Sequence, residues 1–267
     1  MIFRAPAKIN LGLHVKHKRQ DGFHELESVF HTIPLYDYIE LIPSNSDKFS
    51  SYHLDIPGDS AKNLCLKAIQ LLRKKGHDVP NYEIHLLKHI PIGAGLGGGS
   101  SDAVAVIKAI NQLECLELSA ALLMEYAAEL GSDCPFFLMD SAALVSGRGE
   151  YLTSVDFKLE GYYIHLVYPN IHISTAQAYG SLDLKQTSKG AIAIPSEESE
   201  WQNCFTNDFE KALWPKHPIL EQIKTELNNS GAFFSSLSGS GSSVFGVYKS
   251  IPELKFQNVY SEWILKM

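Results

Sequence analysis

Apolar and polar residues alternate along Ala7 to Val15 and again from about Val29 to Leu41, a period of two that predicts a pair of half-buried strands. Ser44 to Ser60 breaks the alternation with polar and turn-forming residues. The period then lengthens: Leu64, Ala68, Leu71 and Leu72 follow Asn63 at helical spacing, and Gly76 supplies a stop. Tyr82 to Ile90 returns to strand-like alternation and runs straight into PIGAGLGGGSS, which holds five glycines between Gly93 and Gly99. Behind that cluster Ala103, Val106, Ile107, Ile110 and Leu113 form the apolar stripe of a helix that Ser100 or Ser101 would cap. A second helix opens at Ser119, with Leu122, Leu123, Tyr126 and Leu130 on one face and Gly131 at its end. Past Gly147 to Gly149 the pattern changes to a strand at Tyr162 to Tyr168, a polar stretch from Ser181 to Glu200, a helix from about Pro218 to Asn228 and a strand at Ser243 to Tyr248. That shift places a domain boundary near residue 155, giving domains 1–155 and 156–267.

Composition narrows the function classes. A chain of 267 residues, 45% apolar and 20% charged, has room for one large domain or two modest ones. The net charge of −7 comes with dispersed basic residues, which argues against a nucleic-acid partner. Cys65, Cys115, Cys134 and Cys204 lie far apart without CxxC or nearby His partners, so neither a disulfide framework nor a zinc site is expected; they read as small buried hydrophobes of a reducing compartment. No apolar run has the length of a signal peptide core or a membrane span, so the expected location is the cytoplasm, with no membrane partner.

The glycine cluster lies between a strand and a capped helix rather than within aperiodic polar sequence, which disfavours a flexible linker. A strand, a glycine turn and a helix N-terminus instead gather backbone N–H groups and the positive end of a helix dipole, a setting suited to a phosphate chain. The P-loop pattern fails because Gly99, not a lysine, precedes Ser100. A dinucleotide fingerprint is present as Gly93, Gly95 and Gly98, but a second helix follows where its second strand belongs. The companion motifs of protein kinases, VAIK, HRD and DFG, are absent.

PIGAGLGGGSSDA resembles the phosphate loop of the GHMP small-molecule kinases. APAKINLGLHV with QDGFHELESVF, GSDCPFF at Gly131 to Phe137, YPNIHISTAQAY, and SLSGSGSSVFGVY at Ser236 to Tyr248 are similar, in order, to the motifs of the branch of that family that phosphorylates 4-diphosphocytidyl-2-C-methyl-D-erythritol. The resemblance implies a two-lobed α+β fold, with an N-terminal lobe like the second domain of a small-subunit ribosomal protein and a ferredoxin-like C-terminal lobe. ATP and substrate would meet in the cleft between the lobes. It further implies ATP-dependent phosphorylation of the substrate's 2-hydroxyl, in non-mevalonate isoprenoid precursor synthesis, by a monomer or weak homodimer.

The resemblance also assigns residues. Pro91, Ile92, Gly93, Ala94, Gly95, Leu96, Gly97, Gly98, Gly99, Ser100 and Ser101 would cradle ATP, with Asn63 and Lys88 on the adenosine side. The two serines read equally as helix caps, and Ser101 is the candidate Mg²⁺ ligand. Asp102 adds a negative charge to the first helical turn, good for the dipole and poor for a bare phosphate. Asp133 reads locally as a helix cap before Pro135, and by resemblance as the base that accepts the hydroxyl proton. Lys8 reads locally as a solvated strand residue, and by resemblance as the cation beside Asp133. Asn10 shares its strand face. Phe23 and Tyr179 would sandwich the cytosine, with His24 reading its edge; some relatives carry Tyr and Phe at these two positions, and either ring stacks. Thr175, Gly239 and Ser240 complete the substrate set, although Gly239 and Gly241 also read as a plain turn between strands. Kinases for mevalonate, homoserine or sugars share the glycine loop but have no use for a base-sized aromatic slot. Retention of Lys8 and Asp133 argues against a nucleotide-binding protein without catalysis.

Overall fold

The computed structural model describes residues 1–58, 63–256 and 260–267. The chain forms two compact units, interleaved in sequence: Met1–Ala7, Leu35–Ile92 and Gly97–Asp140 make one, and Lys8–Pro34, Gly93–Leu96 and Ser141–Met267 the other. Strands β1 (Ile2–Lys18) and β2 (His24–Pro43) pair with each other and contribute residues to both. Both outrun the alternation that predicted them, because β1 is buried on both faces from Ala7 to Val15.

In the first unit the inward phase of β2, Leu35, Ile39 and Leu41, faces the core, while Tyr38 and Ile42 point outward. This half of β2 pairs antiparallel with β4 (Tyr82–Leu87), Tyr38 opposite Leu87 and Pro43 opposite Tyr82. The edge strand β3 (Lys48–Tyr52) runs parallel to β4 inside the segment expected to be turns; KFSSY carries almost no apolar pattern because an edge strand with a partly wet face needs little. Asp59 and Ser60, the last residues of the turn-rich stretch, lie outside the described residues. Helix α1 (Leu64–Lys74) is capped by Asn63, whose side chain accepts from the Cys65 N–H at 2.8 Å. Helices α2 (Gly98–Leu113) and α3 (Ala120–Leu130) follow, and Ser119 caps α3. Ile69, Leu72, Val106 and Ile110 from the first two helices bury against Ile39 and Ile84. On α3 only Tyr126 and Ala127 are fully buried; Leu122, expected on the buried face, is exposed.

In the second unit the first half of β2 pairs with β5 (Ala143–Gly147), which pairs with β6 (Tyr151–Ser154). A second, antiparallel sheet runs in the order β10 (Ser261–Lys266), β7 (Tyr163–Tyr168), β9 (Val244–Tyr248), β8 (Phe234–Leu237). Helices α4 (Thr175–Gly180), α5 (Trp201–Cys204), α6 (Asp208–Leu213) and α7 (Pro218–Asn229) complete it. Phe209 and Leu213 of α6 and Leu220, Ile223 and Leu227 of α7 pack on Val167, Leu237 and Val244. The polar stretch from Ser181 to Glu200 is irregular apart from a single turn of tighter helix at its end. The cysteines depart from expectation in one respect: Cys65 and Cys134 are buried, but Cys204 is half-buried and Cys115 is exposed at the end of α2.

Candidate functional site

The two units each carry part of the glycine cluster. In the second, Gly93–Leu96 is bound to the loop Ser238–Ser243. The Ser243 N–H donates to the Ala94 carbonyl at 3.1 Å, the Ser238 hydroxyl to the Gly95 carbonyl at 3.0 Å, and the Lys8 N–H to the Leu96 carbonyl at 3.0 Å. A Cβ on Gly95 would collide with the Ser238 carbonyl oxygen and come within 3.1 Å of the Gly241 oxygen; one on Gly93 would collide with the His172 ring. Gly239, at φ +57°, approaches the Gly95 backbone in turn. Gly95 and Gly239 are bare because protein backbone packs on protein backbone, and Gly93 because the His172 ring lies against it, which favours the turn reading of Gly239. Asn207 holds the same loop through its side-chain amide, which donates to the Leu237 and Gly239 carbonyls at 2.8 and 2.9 Å.

In the first unit α2 begins at Gly98, earlier than the serines suggested. Its cap is Gly97 in the left-handed region (φ +69°), with no side-chain hydrogen bond, so neither Ser100 nor Ser101 caps it. The helix starts early because Gly97 reaches that backbone conformation without strain. Among the described residues, the N–H groups of Gly98, Gly99 and Ser100 have no intrahelical or side-chain acceptor, the first intrahelical bond being Ser101 N–H to the Gly97 carbonyl. Gly99 is exposed, and a Cβ there would meet nothing nearer than Leu64 at 3.9 Å. Ser100 lies against the Cys134 thiol, whose pKa burial pushes up to about 11. Ser101 Oγ is buried without a hydrogen-bond partner among the described residues. An unsatisfied hydroxyl beside orphan N–H groups fits a phosphate chain with its Mg²⁺, Ser101 being the residue that would hold the ion. Among the described residues no group of three or more His, Cys, Asp or Glu side chains converges as a metal site of its own.

Lys88, expected on the adenosine side, is buried in an ion cluster. It is 2% exposed, and its ammonium lies between Asp37 and, at 3.0 Å, Asp102. Burial pulls the Lys88 pKa down, but the two carboxylates together hold it above its ordinary value. Asp37 Oδ1 also accepts the His89 and Ile90 N–H groups at 2.5 and 2.8 Å. The triad fastens β2, the exit of β4 and the first turns of α2 to one another. Burial pushes Asp102 up to about 7 against the pull of Lys88. A Cβ on Gly98 would stand 2.7 Å from Lys88 Nζ, so this glycine too is required by packing. Asn63, the cap of α1, is half-buried, and Leu64 beside it is the nearest neighbour of a Cβ placed on Gly99.

Lys8 and Asn10 share a strand face as expected, but that face is buried, at 3% and 1% exposure. Lys8 Nζ donates to Asn10 Oδ1 at 2.5 Å and lies 4.4 Å over the Phe30 ring. Asn10 passes the chain on to the Ser28 hydroxyl, which donates to the Gly12 carbonyl. Asp133 precedes the short helical turn Cys134–Leu138 with αR backbone and makes no cap hydrogen bond, so the local cap reading does not hold. Its carboxylate is half-buried.

The aromatics are arranged differently from the expected sandwich. His24, not Phe23, stacks on Tyr179, with ring centroids 4.7 Å apart and planes 26° off parallel. Burial and Lys18 lower the His24 pKa, and Phe209 meets Tyr179 edge-on. Phe23 is 54% exposed and carries the Arg148 guanidinium 4.9 Å from its ring centroid. Thr175 is the exposed first residue of α4, behind the cap Ser174, and Ser240 sits at the tip of the Gly239 loop.

Comparison with known proteins gives this arrangement its family. Residues 63–147 match the GHMP kinases N terminal domain and residues 187–263 the GHMP kinases C terminal domain. A 4-diphosphocytidyl-2-C-methyl-D-erythritol kinase of Parabacteroides distasonis is 40% identical over 99% of this chain and 98% of its own length. The kinase of the same name from Bacteroides fragilis (strain YCH46) is 43% identical over 96% of this chain and 94% of its own. The chain belongs to the 4-diphosphocytidyl-2-C-methyl-D-erythritol kinase family. A crystal structure of a 4-(cytidine 5'-diphospho)-2C-methyl-D-erythritol kinase superposes with a TM-score of 0.77 at 30% identity, covering 92% of this chain and 89% of that one. The Methanococcus jannaschii mevalonate kinase shares the fold, at 18% identity, TM-score 0.69, and 93% and 90% coverage. The α+β GHMP kinase fold expected from the motifs is thus the fold of this chain, and the chain is a small-molecule kinase.

Several residues that shape this family site escaped the sequence reading. Asp37 carried a signal: it occupies the inward phase of β2, between Leu35 and Ile39, where the alternation calls for an apolar side chain. Asn207 and His172 carried none, since their roles come from contacts distant in sequence.

Proposed function

We propose that this chain transfers the γ-phosphoryl group of ATP to the 2-hydroxyl of 4-diphosphocytidyl-2-C-methyl-D-erythritol, releasing ADP and the 2-phosphate, in the non-mevalonate route to isoprenoid precursors. The observation that carries this reading is identity of about 40% across nearly the full length of kinases bearing that name. In the transfer, the substrate oxygen forms a bond to the γ-phosphorus as the bond to the β-bridging oxygen breaks, and the hydroxyl proton passes to a base.

Asp133 is that base, and Lys8 the cation that lowers the proton affinity of the hydroxyl. Asn10 fixes the Lys8 ammonium, its amide oriented by Ser28. The N–H groups at the start of α2 and the Gly99 opening receive the phosphates; Ser101 would hold Mg²⁺, which would supply charge neutralisation there. Phe23, His24 and Tyr179 form the cytosine site, with Thr175, Gly239 and Ser240 beside it. His24 already lies on Tyr179, so cytosine takes the open face of Phe23 and reaches Tyr179 only as His24 swings to the base edge. We place the sequence boundary between the N- and C-terminal domains near residue 155. The enzyme acts in the cytoplasm as a monomer or weak homodimer, without nucleic-acid or membrane partners; among the described residues no helix is long and apolar enough to cross a membrane.

The test supplies ATP and Mg²⁺ with the cytidylyl substrate, mevalonate, homoserine and galactose in parallel and follows ADP. Release with the first alone is expected; activity confined to another acceptor refutes the reading. Asp133→Asn and Lys8→Ala should each lose most of kcat while retaining ATP binding, and near-normal turnover in either removes that residue from the mechanism.

A further inference from the structure

Phe23 presents a physical oddity that the cytidine reading does not by itself explain. A ring 54% exposed contributes little by burial, yet its position is fixed from several sides. Its N–H donates to Asp21 Oδ1 at 3.1 Å and its carbonyl accepts the Arg19 N–H at 2.7 Å. Arg19 is in turn paired with Glu25 at 2.6 Å. The other oxygen of Glu25 accepts the Gly147 N–H at 3.1 Å, which ties the hairpin before β2 to the turn after β5. That turn carries Arg148, whose guanidinium covers Phe23 and whose Nε pairs with Glu150 at 3.5 Å. Two glycines at positive φ, Gly147 and Gly149, shape the turn.

We propose that Arg148 is a positioning residue for the acceptor substrate: its guanidinium backs the Phe23 ring and holds it as a shelf whose open face takes the pyrimidine. The inference rests on the cytidine reading above and adds to it the group that makes an exposed phenylalanine a fixed wall. A flat cation over one face of the ring prevents rotation into solvent and leaves one stacking face. Glu150 sets the guanidinium plane, so the positive charge is shared with a carboxylate and the ligand meets an apolar surface.

The experiment is a double-mutant cycle on steady-state kinetics with ATP and the cytidylyl substrate, using Arg148→Ala, Phe23→Ala and the double variant. Arg148→Ala should raise KM for the acceptor roughly two- to fivefold, the range of an exposed cation–π contact, with kcat and the KM for ATP unchanged. In the Phe23→Ala background the same change should have no further effect, because Arg148 acts through the ring. Arg148→Lys keeps the charge without the planar stack and should resemble Arg148→Ala. Additive effects in the cycle, a loss confined to kcat, or full rescue by lysine would overturn the proposal. Calorimetry with cytidine 5'-diphosphate alone separates the two levels: a wild-type protein that neither binds it nor turns over the cytidylyl substrate fails the kinase reading and the shelf with it. Normal wild-type behaviour with an additive cycle fails the shelf alone.

Discussion

Gly99→Ala separates what the glycine cluster does for the protein from what it does for a ligand. The methyl group has open space, with Leu64 at 3.9 Å as its nearest neighbour, and it sits in the first turn of α2. Alanine there relieves the entropy cost of an ordered helical glycine, so stability should be unchanged or higher by about 0.5 kcal/mol. The same methyl stands beside the unpaired N–H groups that the phosphates must approach. KM for ATP should rise about tenfold or more, equivalent to about 1.4 kcal/mol. Gly95→Ala has the opposite profile. Its φ of +79° costs a substituted residue about 1 to 2 kcal/mol. The overlap with the Ser238 carbonyl also parts the two loops and forfeits the Ser238 hydroxyl bond, about 1 kcal/mol more. The total loss is about 2 to 3 kcal/mol. Urea unfolding of both variants, read with ATP kinetics on the folded protein, decides the matter. A Gly99→Ala enzyme with wild-type KM for ATP, or a Gly95→Ala protein with a wild-type urea midpoint, would refute the division of roles.

Lys88→Met should destabilise the fold by about 3 to 5 kcal/mol, because it strands Asp37 and Asp102 in the core, whereas Asp102→Asn should cost far less; urea midpoints of the two variants give the comparison, and equal losses would contradict it. Asp102 also predicts a pH dependence: its carboxyl titrates near 3.8 unfolded and at about 7 folded, so between those values the native state holds a proton that the unfolded chain has lost. Its contribution to stability is therefore full below pH 4 and falls as pH rises to 7. The advantage of wild type over Asp102→Asn in urea midpoint should therefore be largest near pH 4 and shrink as pH rises to 7, and a difference flat from pH 4 to 8 would count against it.

Local elements were legible where one period dominated. The helix starts at Asn63 and Ser119 and the helix after His217 follow from side chains within a few residues and fall within two residues of expectation, while the strand after Asn81 begins at Tyr82 as expected but ends at Leu87 rather than Ile90. The start of α2 was misread because a serine cap and a left-handed glycine cap compete over the same few positions, and the glycine reaches its backbone at no steric cost. Strands β3, β8 and β10 were missed for a common reason: each is short, and its pairing is with residues far away in sequence. The site showed the same split. The phosphate loop and the Lys8 strand were visible as motifs, but the stacking of His24 on Tyr179 joins β2 to α4 across more than 150 positions, which no local pattern encodes.

Asp102 posed a difficulty in the sequence, since a carboxylate in the first turns of a helix that receives phosphate should repel it. The structure removes the difficulty through burial. Asp102 turns from the helix surface to Lys88, and Asp37 occupies the other side of the same ammonium. Two carboxylates and one ammonium in a dry site carry one negative charge too many, and the favourable remedy is a retained proton. With Asp102 pushed up to about 7, the triad is close to neutral below that pH and presents no net charge to the start of α2. The dipole end and its N–H groups then have no opposing charge beneath them, as the proposed phosphate site requires. The same triad fixes the His89 and Ile90 backbone, from which the glycine loop departs. One buried lysine thus fastens the start of α2 to β2 and offsets the carboxylate charge beneath it.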